Sequence, residues 1–331
     1  MRTVSLGPFT VSAIGLGCMN MSAGYGPADQ ATSEKLLHAA LDRGYRFLDT
    51  AAIYGFGDNE KLIGRTLAAR RDQYVLATKC GMTRDQQGLP RPSGRPERLQ
   101  RECEQSLRNL QTEVIDLYYL HRVDPDVPVE ESVGALGELV RQGKVRTIGL
   151  SEVCCDTLRR AHQEFPITAV QSEYSLWSRT AERGMLTTCE ELGVTFVPFS
   201  PLARGFLTGK ASDVTTLSEG DIRQTIARPR FEPEAFARNS ELLVPYRAIA
   251  ERIECSPAQL ALAWLLAKTG GKVVPIPGTK HIDFMEENAG AVEVVLDDAT
   301  VIELDALIND DTVSGARYAD AVMDSIDSER D

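Results

Sequence analysis

The chain has 331 residues, of which 43% are hydrophobic and 25% charged, and its formal net charge is −12. These values are typical of a soluble globular protein and argue against long disordered segments. Because phosphate backbones and anionic lipids are bound by clustered Lys and Arg, the acidic balance also argues against a nucleic acid or a membrane as partner. A local basic pocket for an anionic cofactor is compatible with this charge.

The cysteines indicate free thiols in a reducing compartment. There are 7 of them, an odd number, and they lie inside apolar segments without a CxxC pair. Neither a disulfide framework nor a zinc site is expected, and no metal is predicted. The first residues lack the apolar core of a signal peptide, and no apolar run is long enough to cross a membrane. We therefore expect a cytoplasmic protein.

The predicted elements start with a small hairpin in SLGPFTVS and continue with eight apolar runs that alternate with amphipathic segments. The predicted strands are Ala13–Gly17, Arg46–Asp49, Tyr74–Thr78, Val114–Leu120, Arg146–Leu150, Thr168–Gln171, Thr195–Phe199 and Lys272–Ile276. The predicted helices include Gln30–Arg43, Arg95–Leu110, Val129–Gln142, Arg179–Leu192 and a helix with Ser256 as N-cap and Pro257 in its first turn. This alternation predicts an α/β fold, a single (β/α)8 TIM barrel forming one domain over residues 1–331.

Two segments depart from the alternation. Arg204–Asn239 is a long insertion after the seventh strand, rich in Gly, Pro and charge. Loops of this length usually act as lids or binding loops, so we expect it to cover a cofactor. The tail after Leu307 is expected to begin as a loop and to end in a frayed, charged terminus.

Four polar residues stand at or just beyond predicted strand ends: Asp49 and Tyr54 in LDTAAIY, Lys79 in LATK and His121 in LYYLH. Catalytic residues of (β/α)8 enzymes lie at the rim where these strand ends meet, so the four are expected to converge there. Taken singly, each has a structural alternative, such as a turn cap, an ion-pair partner or loop packing. Together they predict an enzyme whose tyrosine acts as a proton donor tuned by its neighbours.

The common nucleotide motifs are absent. IGLGCMN has Gly15 and Gly17 but Asn20 in the third position, so GxGxxG fails and a Rossmann site is excluded. The sequence also contains no Walker A loop, HExxH or GxSxG.

Seven segments, in order, resemble the aldo-keto reductase family, and the likeness extends from about Thr3 to Tyr318. They are GYRFLDTAAIYGFGDNEKLIGRTL, VLATKCG, IDLYYLHRVDP, VRTIGLSE, AVQSEYSLWSR, FSPLARGFLTG and PIPGTKHIDFMEEN. The resemblance implies a nicotinamide dinucleotide bound in extended form on the barrel, and it assigns the catalytic tetrad to Asp49, Tyr54, Lys79 and His121. It implies an NAD(P)H-dependent oxidoreductase that reduces an aldehyde or ketone to an alcohol.

The tetrad has a physical logic in such a reaction. Reduction needs a proton for the developing alkoxide, and an unperturbed tyrosine, with a pKa near ~10, is a poor donor at neutral pH. Charged Lys79 beside Tyr54 is expected to lower that pKa, and Asp49 to hold Lys79 in place. His121 is expected to hydrogen-bond the carbonyl oxygen.

By the same resemblance, the cofactor lies on the second half of the barrel. Ser151 and Gln171 are expected at the nicotinamide carboxamide, with Glu152 as a weaker contact where the family often has Asn. Tyr174 is expected beneath the ring, core packing being the alternative. The other residues expected at the cofactor are Met19 and Asp49, the pyrophosphate clamp Phe199, Ser200, Pro201, Leu202, Arg204 and Gly205, the last loop Gly278, Thr279 and Lys280, and Glu287 and Asn288 at the adenine.

Lys280 is the cation expected at a 2′-phosphate, and NADPH is therefore expected in preference to NADH. The arginine that family members often carry near His281 or Phe284 is missing here, and a solvated helical face is the alternative interpretation of Lys280.

The partner is expected to be a small-molecule carbonyl compound. Met19, Tyr25, Met82, Trp177 and the tail segment SGARY are candidate walls of its pocket, with core packing as the alternative, and such side chains favour apolar or planar compounds. A sugar, a keto-sugar, pyridoxal, a quinone or a small aldehyde all fit. Two other classes remain: a nicotinamide-binding sensor on the same fold, and a Schiff-base lyase that uses Lys79 as nucleophile.

Overall fold

The computed structural model of the protein describes residues 1–22, 24–84, 90–209, 214, 217–218, 220–323 and 326–330. Its strands are β1 (Thr3–Leu6), β2 (Phe9–Ser12), β3 (Leu16–Gly17), β4 (Phe47–Asp49), β5 (Val75–Cys80), β6 (Met82–Arg84), β7 (Pro90–Pro92), β8 (Ile115–Leu120), β9 (Val145–Ser151), β10 (Ile167–Glu173) and β11 (Thr195–Phe199). One sheet has the order β3–β4–β5–β8–β9–β10–β11, and all its neighbours are parallel. The predicted α/β barrel is confirmed.

The barrel closes through residues 273–278. Val273 bridges to Phe196 of β11, and Gly278 bridges to Gly17 of β3, both in parallel. The predicted eighth strand, Lys272–Ile276, is therefore present only as isolated bridges. The reason is that Pro275 and Pro277 have no N–H, so this segment cannot form a continuous ladder.

The helices cover the outside of the sheet. They are α1 (Gln30–Arg43), α2 (Asp58–Leu67), α3 (Pro96–Leu110), α4 (Val129–Arg141), α5 (Cys155–Glu164), α6 (Met185–Leu192), α7 (Pro233–Arg252), α8 (Pro257–Lys268), α9 (Ile282–Gly290), α10 (Asp298–Leu307) and α11 (Asp320–Met323). The predicted N-cap Ser256 is confirmed, since its hydroxyl accepts from the amide of Gln259 in a capping box. The predicted helix Arg179–Leu192 is broken at Gly184, whose φ of 154° side-chain-bearing residues rarely adopt.

Two antiparallel hairpins flank the barrel. The predicted N-terminal hairpin is confirmed as β1–β2, and its Leu6 and Val11 are buried with Phe47 and Val197 of the barrel interior. This hairpin therefore closes the end of the barrel opposite the carboxyl ends of the strands. The second hairpin, β6–β7, follows β5 and was not predicted.

The insertion Arg204–Asn239 is only partly a loop. Helix α7 begins at Pro233, and the rings of Phe206 and Phe231 each contact both Phe236 and Trp177. These contacts anchor both ends of the insertion in the core. The middle of the insertion contacts the loop after β3, where the amide of Ile222 donates to the carbonyl of Gly24.

The expectation of a frayed C-terminus is wrong for the described residues. Asp327 and Ser328 are buried, the Asp327 carboxylate accepts from the amide of Cys154, and Ile326 packs with Ala227 and Tyr318. Polar contacts with the barrel thus hold the end of the chain in place.

The described residues contain no helix long and apolar enough for a membrane span, and no group of three or more side chains placed to hold a metal ion. All seven cysteines are free, as their pattern in the sequence predicted.

Candidate active site

The four predicted catalytic residues lie together at the carboxyl ends of the strands. Asp49 ends β4, Lys79 lies near the end of β5, and His121 directly follows β8. The Lys79 ammonium donates to Asp49 Oδ1 at 2.5 Å, to the Thr50 carbonyl at 2.7 Å and to the Tyr54 hydroxyl at 3.4 Å. One ammonium group therefore joins the acidic residue to the phenol.

Lys79 is held in its charged form. Its side chain is 1% exposed, and burial alone would lower its pKa, but the adjacent Asp49 carboxylate raises it. The second Asp49 oxygen accepts from the side-chain amide of Gln171 at 2.7 Å. Both oxygens of the carboxylate thus have a donor, as a buried charge requires.

Tyr54 departs from the expectation in one respect. Burial raises the pKa of its phenol, and Lys79, which lowers it, offsets only part of this effect, so that the pKa is above its ordinary value. The ring meets the His121 ring edge-on, with centroids 5.9 Å apart. Tyr54 therefore remains protonated and in place at neutral pH.

His121 is neutral at physiological pH. Burial lowers its pKa well below the ordinary value, and the positive charges of Arg122 and Lys79 lower it further. Its Nδ1 atom is buried without a hydrogen-bond partner among the described residues. A neutral imidazole carries one N–H, so His121 can donate one hydrogen bond to a substrate.

Two further residues support the tetrad and were missed in the sequence. The Arg122 guanidinium donates to the His121 carbonyl at 2.6 Å and to the Ser151 hydroxyl at 3.0 Å. Asn59 accepts from the Thr50 hydroxyl at 2.6 Å and so fixes the peptide whose carbonyl receives Lys79. Each lies beside a tetrad segment, in HRVDP and YGFGDNE, and this proximity was the available signal.

The turn that carries Tyr54 is strained. Phe56 has a φ of 56°, which is uncommon for a residue with a side chain, and its ring is 71% exposed. The guanidinium of Arg84, in the β6–β7 hairpin, lies 4.7 Å from the centre of that ring. An exposed aromatic ring in a strained turn two residues after Tyr54 is a candidate for a substrate contact.

Ser151 and Gln171 lie side by side at the ends of β9 and β10, where they are paired in register. Gln171 uses its NH₂ group on Asp49, which leaves its carbonyl oxygen as an acceptor. Ser151 accepts from Arg122, which leaves its hydroxyl proton as a donor. One acceptor and one donor are the complement of a carboxamide, so the predicted pair fits the group it was assigned.

Glu152 does not have the geometry expected of a carboxamide contact. Its oxygens accept from Arg317 at 3.1 and 2.5 Å, from the Ser328 hydroxyl at 2.7 Å and from the amide of Glu173 at 2.8 Å. Burial alone would raise the pKa of this carboxyl, but the charges of Arg317 and Arg122 and the hydrogen bonds from Arg317 and the Glu173 amide together outweigh it and lower the pKa to about 2. Glu152 is thus the buried ion-pair partner of Arg317.

Tyr174 also requires a correction. Its ring is 0% exposed, packs against Phe196 and Trp264, and donates its hydroxyl to Glu182 at 2.7 Å. A ring enclosed in this way cannot stack on a ligand in the open rim. Phe199, the last residue of β11, is only half-buried and is an aromatic residue available at this rim.

The clamp residues after β11 form an unusual turn. Ser200 and Arg204 have φ values of 49° and 55°, and Gly205 has 92°. Strain of this kind is concentrated at functional sites. Pro201 is buried and Leu202 half-buried, while the Arg204 guanidinium is buried on Glu173, with Nη2 at 2.7 Å from Oε2.

The last loop brings Lys280 against the loop that follows β3. Its ammonium donates to the carbonyls of Tyr25 and Pro27 at 2.9 and 2.7 Å, which leaves one N–H without an acceptor among the described residues. Gly278 is exposed, and Thr279 is buried, with its hydroxyl accepting from the amide of His281. In α9, Glu287 is half-buried and Asn288 is buried.

The candidate substrate walls divide into two groups. Met19, Tyr25 and Met82 are partly exposed around the rim. Trp177 is 2% exposed and stacks on Phe206 with centroids 4.2 Å apart, so it is a core residue and the expectation that it lines the pocket is wrong. In the tail, Tyr318 is buried against Arg204 and Arg317.

Known proteins are similar to this chain in sequence and fold. Residues 13–309 match the sequence model of the aldo/keto reductase family. The aldo-keto reductase yakc (NADP+) of Schizosaccharomyces pombe is 42% identical over 322 residues, which cover 96% of this chain and 94% of that protein. A glycerol dehydrogenase from Gluconobacter oxydans superposes with a TM-score of 0.83 at 28% identity, covering 92% of this chain and 94% of its own. An aldo/keto reductase from Klebsiella pneumoniae, solved with NADP and acetate, superposes with a TM-score of 0.70 at 27% identity, over 93% and 95% of the two chains.

The fold and the rim define a barrel oxidoreductase. The match of the family model over most of the chain shows that this protein belongs to the aldo/keto reductase family. The family predicted from the seven segments is thereby confirmed.

Proposed function

We propose that this protein is an NADP(H)-dependent reductase that converts an aldehyde or ketone into an alcohol, with Tyr54 as proton donor. The observation that carries the proposal is the Lys79 ammonium, which contacts both the Asp49 carboxylate and the Tyr54 hydroxyl. The names of the relatives from Schizosaccharomyces pombe and Klebsiella pneumoniae support NADP as the cofactor.

The residues at the rim suit such a cofactor. Ser151 and Gln171 would hold the carboxamide, Phe199 would offer the ring surface, and the positive-φ turn around Gly205 would bring backbone close to the pyrophosphate. Lys280 has one N–H left for a phosphate. When bound, the reduced nicotinamide supplies the hydride that adds to the carbonyl carbon.

The chain itself supplies the proton. The Tyr54 O–H bond breaks as negative charge develops on the substrate oxygen, and the proton forms the alcohol O–H bond. The phenolate that remains lies 3.4 Å from the Lys79 ammonium. In a site shielded from water, a fixed positive charge at this distance stabilises the phenolate without reorganisation.

His121 orients the acceptor oxygen. Because its pKa is lowered well below the ordinary value, the neutral ring donates a hydrogen bond and does not transfer the proton itself. Tyr54 is therefore the proton donor, and His121 polarises the carbonyl group through a hydrogen bond.

The substrate is proposed to be apolar or planar near its carbonyl group. Phe56, Met19, Tyr25 and Met82 are the side chains exposed or partly exposed around the rim. Among the candidates, a small aldehyde and pyridoxal match these side chains better than a sugar or a keto-sugar, and a panel of all four with NADPH would separate them. The charged state of Lys79 disfavours the Schiff-base alternative, since a nucleophilic lysine must be neutral.

The test compares Tyr54→Phe with the wild type in NADPH oxidation by an aldehyde. We expect a loss of about 10²- to 10⁴-fold in kcat, the usual contribution of a general acid, with little change in NADPH affinity. Tyr74→Phe is the matched control, because this tyrosine precedes β5 at the opposite end of the barrel. Half the wild-type rate in Tyr54→Phe would exclude the proton-donor role, and a wild type that binds NADPH without turnover would indicate a sensor.

A further inference from the structure

The C-terminal segment, residues 313–323 and 326–330, docks on the rim through a buried arginine. Arg317 contacts both oxygens of Glu152, at 3.1 and 2.5 Å, in a bidentate pair. The same guanidinium lies 2.8 Å from Glu329 and 3.7 Å from Glu173. Both Arg317 and Glu152 are buried, so the pair is shielded from solvent.

This pair controls the turn that follows β9. Glu152 has a φ of 55°, a conformation that a residue with a side chain adopts only when its surroundings enforce it. Two hydrogen bonds from the C-terminal segment hold Glu152 in this conformation. The Ser328 hydroxyl donates to the Glu152 carboxylate at 2.7 Å, and the Ser328 amide donates to the Glu152 carbonyl at 3.2 Å. The residue directly before this turn is Ser151, one of the two candidates for the carboxamide.

The C-terminal segment also orients Arg204. The carbonyl of Arg317 accepts from Arg204 Nη1 at 2.9 Å, and the Tyr318 ring lies 4.6 Å from the Arg204 guanidinium. With Glu173 on Nη2, these contacts fix the plane of the guanidinium. Ser151 at the end of β9 and Arg204 in the loop after β11 therefore both depend on the docking of one distant residue.

The surrounding structure supports this docking. Asn239 of α7 exchanges two hydrogen bonds with the backbone of Ser314, at 2.9 and 2.7 Å. The amide of Ala319 donates to the carbonyl of Ile226 at 3.1 Å. The C-terminal segment is thus joined to the insertion after β11 as well as to the barrel, and it lies between the two.

We propose that Arg317 is a positioning residue for cofactor binding: it docks the C-terminal segment so that Ser151 and the backbone of the turn anchored by Arg204 are held ready for the two ends of the nicotinamide–pyrophosphate half. This inference rests on the proposed function. It differs from a purely structural role, in which Arg317 would only neutralise Glu152 and its loss would lower stability without changing cofactor affinity.

The test uses the full chain with Arg317→Met and Arg317→Lys. Dissociation constants for NADPH are measured by fluorescence titration, kcat and KM by aldehyde reduction at saturating NADPH, and docking by hydrogen exchange of residues 313–323. Arg330→Met is the matched control, because Arg330 lies in the same segment but is 67% exposed and, within the described part of the chain, pairs with Asp327 alone.

We expect Arg317→Met to raise the NADPH dissociation constant by about tenfold or more, equivalent to ~1.4 kcal/mol, and to speed exchange of the C-terminal segment. At saturating NADPH, kcat should stay within about threefold of wild type, since the tetrad makes no contact with Arg317. Arg317→Lys should be intermediate, because an ammonium cannot form the bidentate pair. Arg330→Met should behave as wild type.

Several outcomes would overturn the inference. If Arg317→Met loosens the C-terminal segment or lowers the melting temperature but binds NADPH as tightly as wild type, Arg317 is structural only. A change confined to the KM of the carbonyl compound would make the segment a substrate wall instead. If Arg317→Met does not fold, wild-type affinity in Arg317→Lys gives the same negative answer. A wild type that binds no NADPH overturns the proposed function first, and this inference with it.

Discussion

The Lys79 ammonium nitrogen lies 3.4 Å from the Tyr54 hydroxyl oxygen, yet the pKa of Tyr54 is raised. Burial of the phenol outweighs the neighbouring charge, whereas Asp49 keeps Lys79 ionised. The phenol therefore keeps its proton at physiological pH. The charge of Lys79 acts on the phenolate that forms during reaction, because that is when the negative charge appears beside it.

Replacing Asp49 with Asn should abolish most of the activity. The substitution leaves the Lys79 charge buried without its counter-ion, which costs about 3–5 kcal/mol and favours the neutral amine. We expect kcat to fall by about 10²-fold or more, because a neutral amine no longer stabilises the Tyr54 phenolate.

Asp116→Asn is the control for that experiment. Asp116 is also buried and pairs with Arg71 at 2.6 Å, but it lies in β8 near the other end of the barrel. Urea unfolding should show a loss of stability in both variants, while only Asp49→Asn loses kcat. Equal loss of kcat in both would mean that the effect is one of folding.

The rate of carbonyl reduction should be independent of pH between about pH 6 and pH 8. His121 is already neutral in this range because its pKa is lowered, and Tyr54 is still protonated because its pKa is raised. A pH profile of kcat at saturating NADPH checks this. In the reverse direction, alcohol oxidation needs the phenolate as base, so its rate should rise with pH.

The pH profile of kcat in the Arg122→Met variant should be compared with that of the wild type. Arg122 is one of the charges that lower the pKa of His121, so its removal should shift that pKa upward. Any acidic change of kcat should then occur at a higher pH in this variant than in the wild type. A wild-type profile with a step near pH ~6.5 would contradict the neutral assignment of His121.

The sequence was informative where local pattern determines structure. Strands that are buried on both faces read as apolar runs, so seven of the eight predicted strands overlap observed ones, and Asp49 and Lys79 were located by their position at strand ends. The eighth failed because Pro275 and Pro277 interrupt its hydrogen bonding, although it occupies the predicted place.

The remaining errors concern burial and distance. Tyr174 and Phe199 are both aromatic residues at strand ends, and only tertiary packing shows that the first is enclosed and the second half-buried. Glu152 and Arg317 are 165 positions apart in the chain. No periodicity or spacing links two such residues, so their ion pair could not be predicted without the fold.

The Glu152–Arg317 pair should contribute stability that is lost in acid. A depressed carboxyl pKa stabilises the fold above the unfolded value, near ~4.3, and the contribution disappears as the pH falls through the folded value of about 2. The full contribution is about 3 kcal/mol. Urea unfolding of wild type and Glu152→Gln should show a difference that is constant above about pH 5 and shrinks between about pH 4.5 and pH 2.

Glu130→Gln is the matched control for the acid titration. Glu130 accepts from Arg160 at 2.8 and 2.8 Å, a bidentate pair like that of Glu152, but both side chains are substantially exposed. Exposed pairs contribute at most about 1 kcal/mol, so this variant should differ little from wild type at any pH. An equally small difference for Glu152→Gln would show that the buried pair carries no special stability.

Lys280→Ala should narrow the preference for NADPH over NADH. The Lys280 ammonium uses two hydrogens on the carbonyls of Tyr25 and Pro27, and the third is available to a 2′-phosphate. A charge-assisted hydrogen bond contributes roughly 1.5–3 kcal/mol, so removing it should weaken NADPH binding by about tenfold or more and leave NADH binding nearly unchanged.

Dissociation constants for both cofactors measure the preference for NADPH. Lys272→Ala is the control, since this exposed lysine begins the same segment and pairs with Glu190. If the wild type binds the two cofactors equally, or if Lys280→Ala weakens both alike, Lys280 acts on the 25–27 loop and does not recognise the phosphate.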